Sequence, residues 1–171
     1  MLLAACLFQG PAARGGDDVE LRVKAAFLYN FARFVEWPVQ AESQPKVEFC
    51  VLGHDPLTPI LEETVRGKNV NGRVLGVRNV GGADEAAGCH VLFVARGEQK
   101  RLRCLLQALA EKPVLTVSDL EGTVRDGGII QFRLVDQNVR FEVNLDAAAR
   151  AGLKLSSQLL RVALAVVGRH S

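Results

Sequence analysis

The 171-residue sequence lacks several features, and each absence excludes a class of protein. No apolar run reaches the roughly 18–20 residues that a membrane-spanning helix needs. None of the four cysteines belongs to a CxxC pair, which removes the usual zinc and thioredoxin-like sites. The formal net charge is only +2 and no block of like charge occurs, so nucleic acid is not expected as a partner.

Signatures of catalysis and cofactor binding are missing as well. The glycine-rich pieces match neither GxGxxG after the first strand nor GxxxxGK[ST]. The histidines, His54, His90 and His170, are scattered, and His90 beside an apolar strand is interpreted as structural. With no triad and no metal set, a hydrolase is the weakest hypothesis. We expect neither an enzyme nor a bound cofactor or metal.

The N-terminus lacks a folding periodicity. Its residues are apolar, then small, then glycine-rich, as in the tail of an export signal. We interpret 1–17 as an export-signal remnant or a disordered leader, and 18–171 as one domain. The "LAAC" at 3–6 has the form of a bacterial lipoprotein cleavage box. The expected location is the periplasm, with a form lipid-anchored through Cys6 as an alternative.

The three downstream cysteines would meet an oxidising compartment after export. Cys50, Cys89 and Cys104 allow three pairings with one thiol left over. Cys104 lies in a segment with a helical pattern, whereas Cys50 and Cys89 lie at or beside predicted strands. This placement favours the pairing of Cys50 with Cys89 without excluding the other two.

Half of the chain's ten aromatic residues lie in one segment of eleven positions. They are Phe27, Tyr29, Phe31, Phe34 and Trp37, and they include the only Trp and the only Tyr. Val23, Phe27, Phe31 and Phe34 recur at spacings of 4, 4 and 3, which predicts one apolar face of a helix over 18–36. Tyr29 and Trp37 lie off that face, and we expect them at a self-association surface.

Apolar strands alternate with helical patterns through the middle of the chain. Strands are predicted at 47–53, 72–80, 89–95 and 113–119, and helices at 57–65 and 98–112. The near-continuous apolar runs suit a sheet that is covered on both faces. The pattern predicts an α/β fold with an open, mostly parallel, Rossmann-like sheet flanked by helices.

A C-terminal antiparallel hairpin follows, with its turn around 136–138. The second strand places Val139, Phe141, Val143 and Leu145 on one face, and Arg140, Glu142 and Asn144 on the other. The polar row is either the hydrated face of an edge strand or a surface for another protein. A short helix and a last apolar helix, capped by Ser156 or Ser157 and running through Val167, complete the prediction.

Two polar pairs stand at the ends of predicted strands and form a candidate ligand pocket. They are His54-Asp55 and Ser118-Asp119. Ligands of α/β proteins bind at the carboxyl ends of the strands. For Ser118 and Asp119 the alternative is a turn or a helix cap. A periplasmic small-ligand sensor that uses these four residues is therefore one functional hypothesis.

Eight segments together resemble the YfiR family of periplasmic regulators. They are "VKAAFLYNFARFVEWP", "FCVLGHDP", "GKNVNGR", "CHVLFVA", "VLTVSD", "GGIIQF", "VRFEVNL" and "AGLKLSSQLL". Their order and spacing agree over 19–165. The resemblance implies an exported, homodimeric α/β protein that represses a membrane-bound diguanylate cyclase through the cyclase's periplasmic part. It also implies control of cyclic di-GMP and biofilm formation, with an outer-membrane lipoprotein that relieves the repression.

The resemblance further implies roles for individual residues. The family's shared disulfide would fall on Cys50 and Cys89. The "VRFEVNL" segment is among the best matched, which favours partner binding by Arg140, Glu142 and Asn144. Cys104 is extra to the family pattern, and we expect it to be buried. The second disulfide that some members carry near "GGIIQF" has no cysteine here.

Overall fold

The computed structural model of the protein describes residues 15–168. Cys6, His170 and all but the last three residues of the predicted leader lie outside the described residues. Helix α1 spans Gly15–Phe34, so it begins three residues before the predicted domain start. No helix within 15–168 is long and apolar enough to cross a bilayer.

Helix α1 buries a different stripe from the predicted one. Its buried residues are Lys24, Ala25, Leu28, Phe31 and Ala32. Val23, expected on the apolar face, is 37% exposed, and Phe27 and Phe34 are half-buried. The helix ends at Phe34 because strand β1, Val35–Glu36, pairs antiparallel with strand β9, Lys154–Leu155. The prediction of a helix to residue 36 is wrong by these two residues.

Eight further strands form the main sheet. They are β2 (Lys46–Leu52), β3 (Asn69–Val70), β4 (Arg73–Val80), β5 (Val91–Val94), β6 (Leu115–Ser118), β7 (Ile130–Val135), β8 (Asn138–Asn144) and β10 (Ala165–Val167). Their order is β10-β8-β7-β6-β5-β2-β4-β3. Only the β3–β4 and β7–β8 pairs are antiparallel. The predicted α/β fold with a mostly parallel sheet is confirmed.

Helices cover both faces of this sheet. Besides α1 they are α2 (Val39–Glu42), α3 (Leu57–Val65), α4 (Ala83–Ala86), α5 (Leu102–Leu109), α6 (Leu145–Arg150) and α7 (Ser157–Val162). One apolar core lies between the sheet and α1, α3, α6 and α7, and a second lies between the sheet and α4 and α5. Alternate residues of β2 serve the two cores: Phe49 belongs to the first and Leu52 to the second. Burial on both faces explains the near-continuous apolar runs of the strands.

The aromatic side chains of α1 pack on the β7–β8 hairpin. The ring centroids of Phe27 and Phe31 lie 6.0 and 5.9 Å from that of Phe132, and 5.4 and 5.0 Å from that of Phe141. Phe93 of β5 adds a further contact to Phe132 at 6.5 Å. The aromatic residues crowd into one early segment because that segment forms one side of this cluster.

Two-residue turns close both hairpins of the sheet. Asp136 and Gln137, at φ 48° and 63°, join β7 to β8, which confirms the predicted hairpin. Asn71 and Gly72, at φ 51° and 75°, join β3 to β4 in the same way. Positive φ at both central positions is the mark of a type I′ turn, and Asn-Gly is its preferred sequence.

The C-terminal end departs from the predicted long helix. The side chain of Ser156 accepts a hydrogen bond from the Leu159 amide at 3.2 Å, which confirms the predicted cap. Helix α7 then ends at Val162, and β10 pairs parallel with β8. The amide of Leu164 donates to the Phe141 carbonyl at 2.8 Å. The chain therefore covers the edge of β8 that β7 leaves free, and β8 is not an edge strand. A short apolar run does not by itself distinguish a helix from a strand.

Cys50 and Cys89 form a disulfide between Cα atoms 6.0 Å apart. The favoured pairing is therefore confirmed. Cys104 is a free thiol and is exposed, so the expectation of burial is wrong. Helix α5 turns its leucines into the second core and Cys104 away from it; those leucines are Leu102, Leu105, Leu106 and Leu109.

We predict that reducing the disulfide lowers the free energy of unfolding by about 2–5 kcal/mol, because it frees a loop with a sequence separation of 39 residues. Urea unfolding with and without a phosphine reductant measures the difference. Cys104→Ser should show the same loss as the wild type. A Cys50→Ser/Cys89→Ser variant should match the reduced protein and ignore the reductant. An unchanged unfolding midpoint, with both thiols shown free by mass spectrometry, would contradict the prediction.

Candidate functional site

A cleft of about 350 Å³ opens where β2, β5 and β6 end and α1 begins. We call it the acidic cleft. Its charged lining consists of Asp17, Glu20, Lys24, Asp55, Arg96 and Asp119. Its position at the carboxyl ends of parallel strands is the usual ligand position of an α/β sheet.

A buried ammonium group is the centre of the cleft. The Lys24 side chain is 5% exposed, and its Nζ lies 2.7 Å from Asp119 Oδ2. The same Nζ contacts the carboxylate of Glu20, one helical turn earlier. Arg96 Nε donates to Asp119 Oδ2 at 2.9 Å from the turn after β5. A buried charge is tolerated only when it is paired, and these contacts tie α1 to the end of β6.

Asp119 has one fully used oxygen and one unused oxygen. Its side chain is 9% exposed, and Oδ2 receives both Lys24 and Arg96. Oδ1 is buried and has no hydrogen-bond donor within residues 15–168. A buried acceptor without a donor costs about 1–3 kcal/mol. Within the described residues, Asp119 Oδ1 therefore lacks the hydrogen-bond donor that a buried carboxylate oxygen normally has.

Asp55 is a second carboxylate of the cleft with few hydrogen-bond donors. Its Oδ1 accepts one hydrogen bond, at 2.9 Å from the Leu57 amide at the start of α3. Burial raises the pKa of Asp55 above its usual range, the Leu57 hydrogen bond partly opposes the rise, and the charge of Asp119 adds to it. The positive charges of Lys24 and Arg96 also oppose the rise, since a nearby cation favours the ionised carboxylate.

Three of the four predicted pocket residues meet at the cleft. His54, Asp55 and Asp119 line it. Ser118 does not, and the prediction for this residue is wrong. Its hydroxyl is fully buried, donates to the Val94 carbonyl at 2.8 Å and accepts from the Leu120 amide at 3.1 Å. Ser118 therefore has the structural turn role that was its alternative.

Sequence reasoning missed Lys24, Glu20 and Arg96. A signal for Lys24 was present, because it precedes Leu28 by four residues and Phe31 by seven, in register with the buried stripe. A lysine at such a position is buried, so its ammonium group needs a carboxylate partner. Arg96 has no comparable signal, since its side chain is 69% exposed and lies in a short turn.

The predicted polar row of β8 divides into two kinds of residue. Arg140 is exposed, and Glu142 is half-buried with Oε1 3.9 Å from Arg133 Nε on β7. Asn144 is committed to the fold: Oδ1 accepts from the Ala147 amide at 2.9 Å, and Nδ2 donates to the Val124 carbonyl at 3.0 Å. Asn144 is thus the cap of α6, and its predicted place at a partner surface stays a prediction.

Leu145 also departs from its predicted position. It was expected on the apolar face of the second hairpin strand. It is instead the first residue of α6, and it is half-buried. The strand ends one residue earlier because Asn144 caps the helix that follows.

The two aromatic residues outside the Phe stripe have different surroundings. Tyr29 is half-buried, and Lys68 Nζ lies 4.7 Å from the centroid of its ring. Trp37 is only 5% exposed and meets the His90 ring edge-on at a centroid distance of 5.6 Å. Trp37 therefore offers little accessible ring for the expected self-association surface, because the chain leaves the helix at Phe34 and folds this ring into the core.

His90 is a structural residue, as predicted. Its Nδ1 accepts a hydrogen bond from the Glu48 amide at 3.1 Å, and its Nε2 lies 3.0 Å from the Ala41 carbonyl oxygen. These partners require the neutral tautomer with the proton on Nε2. Burial lowers the pKa of His90, although the hydrogen bond to Ala41 opposes the shift.

Metal binding receives no support from the described residues. Within 15–168 no three His, Cys, Asp or Glu side chains are placed to hold an ion together. The acidic cleft contains carboxylates, but lysine and arginine already occupy the positions between them.

A model of the family described as YfiR/HmsC-like matches residues 21–164. The chain belongs to the YfiR/HmsC-like family. YfiR-like proteins are periplasmic regulators rather than catalysts, and the family is associated with diguanylate cyclases.

Two solved structures show a likeness of fold. A conserved domain protein from Vibrio cholerae O1 biovar El Tor superposes with a TM-score of 0.59 at 10% identity, over 86% of this chain and 60% of that one. The chain thus spans about three fifths of that protein's length. The ABC domain from Streptococcus pneumonia in complex with L-Trp reaches a TM-score of 0.49 at 11% identity, over 70% of this chain and 55% of that one, and nothing is inferred from it.

We predict that Lys24→Met lowers the free energy of unfolding by about 3 kcal/mol, because it leaves Asp119 and Glu20 without their shared ammonium. The loss lies at the low end for a broken buried pair, since Arg96 still reaches Asp119. Urea unfolding measures the loss. Lys46→Met, at an exposed position, is the matched control and should change the value by less than about 0.5 kcal/mol. Equal stabilities of the two variants would contradict a structural role for the buried pair.

Proposed function

We propose that this protein represses a membrane-bound diguanylate cyclase by binding the cyclase's periplasmic part, and thereby controls cyclic di-GMP and biofilm formation. The observation that carries the proposal is the family match over residues 21–164. In this proposal the protein acts only by binding, and an outer-membrane lipoprotein relieves the repression. Homodimers are its expected form.

The β7–β8 hairpin offers the surface for the cyclase. Arg133 and Arg140 are direct cross-strand neighbours, and Glu142 lies beside Arg133. We call these three residues the hairpin patch. Like charges that face each other across two strands are unfavourable, and one glutamate offsets only one of them. An acidic segment of a partner would neutralise the remaining positive charge, and charge complementarity of this kind fixes register and speeds association.

We predict that Glu142→Lys abolishes repression while the protein remains folded, because Glu142 lies outside the core and the change breaks the Arg133–Glu142 pair that fixes the register of the contact. Truncating one member of a buried interfacial charge pair typically costs about 2–5 kcal/mol of affinity. In a host with the cognate cyclase, cyclic di-GMP should rise to the level of a deletion strain.

Two further variants make this test decisive. Glu111→Lys, exposed and far from the hairpin in sequence, should repress like the wild type. Arg140→Glu changes an exposed side chain, so it tests the patch even if Glu142→Lys proves unstable. Normal repression by a stably expressed patch variant would refute the assignment of the cyclase surface to the hairpin.

We place the self-association surface at Tyr29, because Trp37 is buried within the protomer. Tyr29 lies beside Arg33 and Lys68, whose cationic groups are 5.8 and 4.7 Å from its ring centroid. An aromatic ring flanked by arginine is a common anchor of protein interfaces.

We predict that Tyr29→Ala converts the dimer to a folded monomer at low micromolar concentration, as measured by light scattering. Tyr29→Phe keeps the ring and should stay dimeric. The hydroxyl of Tyr29 lies 3.5 Å from the Asn69 carbonyl, so its removal costs the fold little. A folded Tyr29→Ala dimer, or a monomeric wild type, would show that Tyr29 is not a dimer contact.

A further inference from the structure

The main sheet ends on one side at a strand that is much longer than its outer neighbour. Strand β4 pairs with β2 over residues 74–80. On its other side, the two residues of β3 cover only Arg73 and Val74. Among residues 15–168 no further strand lies beyond β4 over 75–80. A row of unpaired backbone groups at a sheet edge is a template for pairing with another strand.

The β3–β4 turn shows which backbone groups of β4 face outward. The residues that flank a two-residue hairpin loop exchange both of their backbone hydrogen bonds, so the amide and carbonyl of Arg73 face β3. This direction repeats at every second residue of a strand. The amides and carbonyls of Leu75, Val77 and Asn79 therefore point away from β2. We call residues 75–79 the free edge of β4.

The surroundings of the free edge leave room for a partner. Its sequence, "LGVRN", contains neither proline nor lysine, the residues that commonly prevent pairing at exposed edges. A groove of about 610 Å³ runs beside it and is lined in part by Lys68, Leu75 and Val77. The ammonium of Lys68 also lies on the ring of Tyr29. The free edge therefore adjoins the self-association surface proposed at Tyr29.

We propose that the free edge of β4 pairs antiparallel with the same edge of a second copy of this chain, which joins the two sheets into one. The inference rests on the proposed homodimer and gives it a register. A two-fold axis perpendicular to the sheet keeps every side chain on its own face, so only residues of one face can lie opposite each other. With the axis at Val77, the two copies of Val77 exchange both backbone hydrogen bonds. Leu75 then lies opposite the partner's Asn79, and Gly76 lies opposite the partner's Arg78.

The charges beside the free edge select this register. The carboxylate of Glu48 on β2 lies over Gly76, where its Oε2 is 2.8 Å from the position that a β-carbon would take. Arg78 of the same chain approaches this carboxylate only to 3.9 Å, which is too long for a hydrogen bond. The partner's Arg78, opposite Gly76, would reach the same carboxylate across the glycine. An axis at Arg78 would instead set two arginines directly opposite each other, which is unfavourable.

The ends of the paired segment fit the same register. Strand β3 already holds the outer edge at Val74, so the partner strand has to leave the sheet there. Strand β4 ends at Val80, and Gly81 and Gly82 lead the chain into α4. The partner chain therefore turns away where β3 begins. A stable interface buries at least about 1,000 Å², and the groove and Tyr29 extend the contact beyond the strand pair.

Light scattering of the full chain at low micromolar concentration tests the pairing. Val77→Pro removes an N–H that faces outward, so the β2–β4 pairing stays intact and we expect a monomer that is folded by circular dichroism. Val77→Thr retains the N–H and the branched side chain, and it should stay dimeric. A monomeric wild type would overturn both this inference and the proposed homodimer. A folded Val77→Pro dimer would overturn this inference alone, and neither result bears on repression, which the cyclic di-GMP assay measures.

A charge exchange between subunits tests the register even if Val77→Pro does not fold. Arg78→Glu and Glu48→Arg each set like charges together across Gly76 in a homodimer, so each variant alone should be monomeric. In a one-to-one mixture, each arginine of one copy meets a glutamate of the other, and a heterodimer should form. Arg161→Glu changes an exposed arginine outside the edge and should stay dimeric. The proposed register is overturned if either edge variant alone is dimeric or if their mixture stays monomeric.

Discussion

The packing of helix α1 on the β7–β8 hairpin is the contact from which the rest of the arrangement follows. Phe27 and Phe31 meet Phe132 and Phe141 at centroid distances between 5.0 and 6.0 Å. Each such aromatic pair contributes about 0.5–1.5 kcal/mol beyond the area it buries. These rings fix the rotation of α1 about its axis. Once that rotation is set, Lys24, on the same side of the helix, has to point into the sheet.

A lysine forced inward dictates the chemistry of its surroundings. An unpaired ammonium in the interior is prohibitively expensive, so Asp119 at the end of β6 and Glu20 on α1 meet it there. Arg96 then neutralises part of the negative charge of Asp119, which lies beside Lys24. A second cavity of about 230 Å³ joins this ion cluster to Arg133 on the hairpin. The cleft and the hairpin patch are therefore neighbours, and α1 packs against both regions.

The sequence predicted what depends on pattern and missed what depends on tertiary context. Alternating apolar runs identified the sheet, because strands buried on both faces leave a strong signal. The Asn71-Gly72 turn was overlooked although Asn-Gly is a strong hairpin signal. Trp37 is buried because Val35 pairs with Leu155, a contact between distant segments that no local pattern contains. Lys24 escaped notice because a lysine within an apolar helix is ordinarily assigned to the solvent face.

The near-zero net charge conceals two regions of opposite sign. The hairpin patch has two arginines and one glutamate, whereas the acidic cleft has a surplus of two carboxylates. Both regions border the cavity that Arg133 and Asp119 line, so their charges oppose each other there and nearly cancel in the total. The +2 of the whole chain argues only against partners, such as nucleic acid, that require a broad field of one sign.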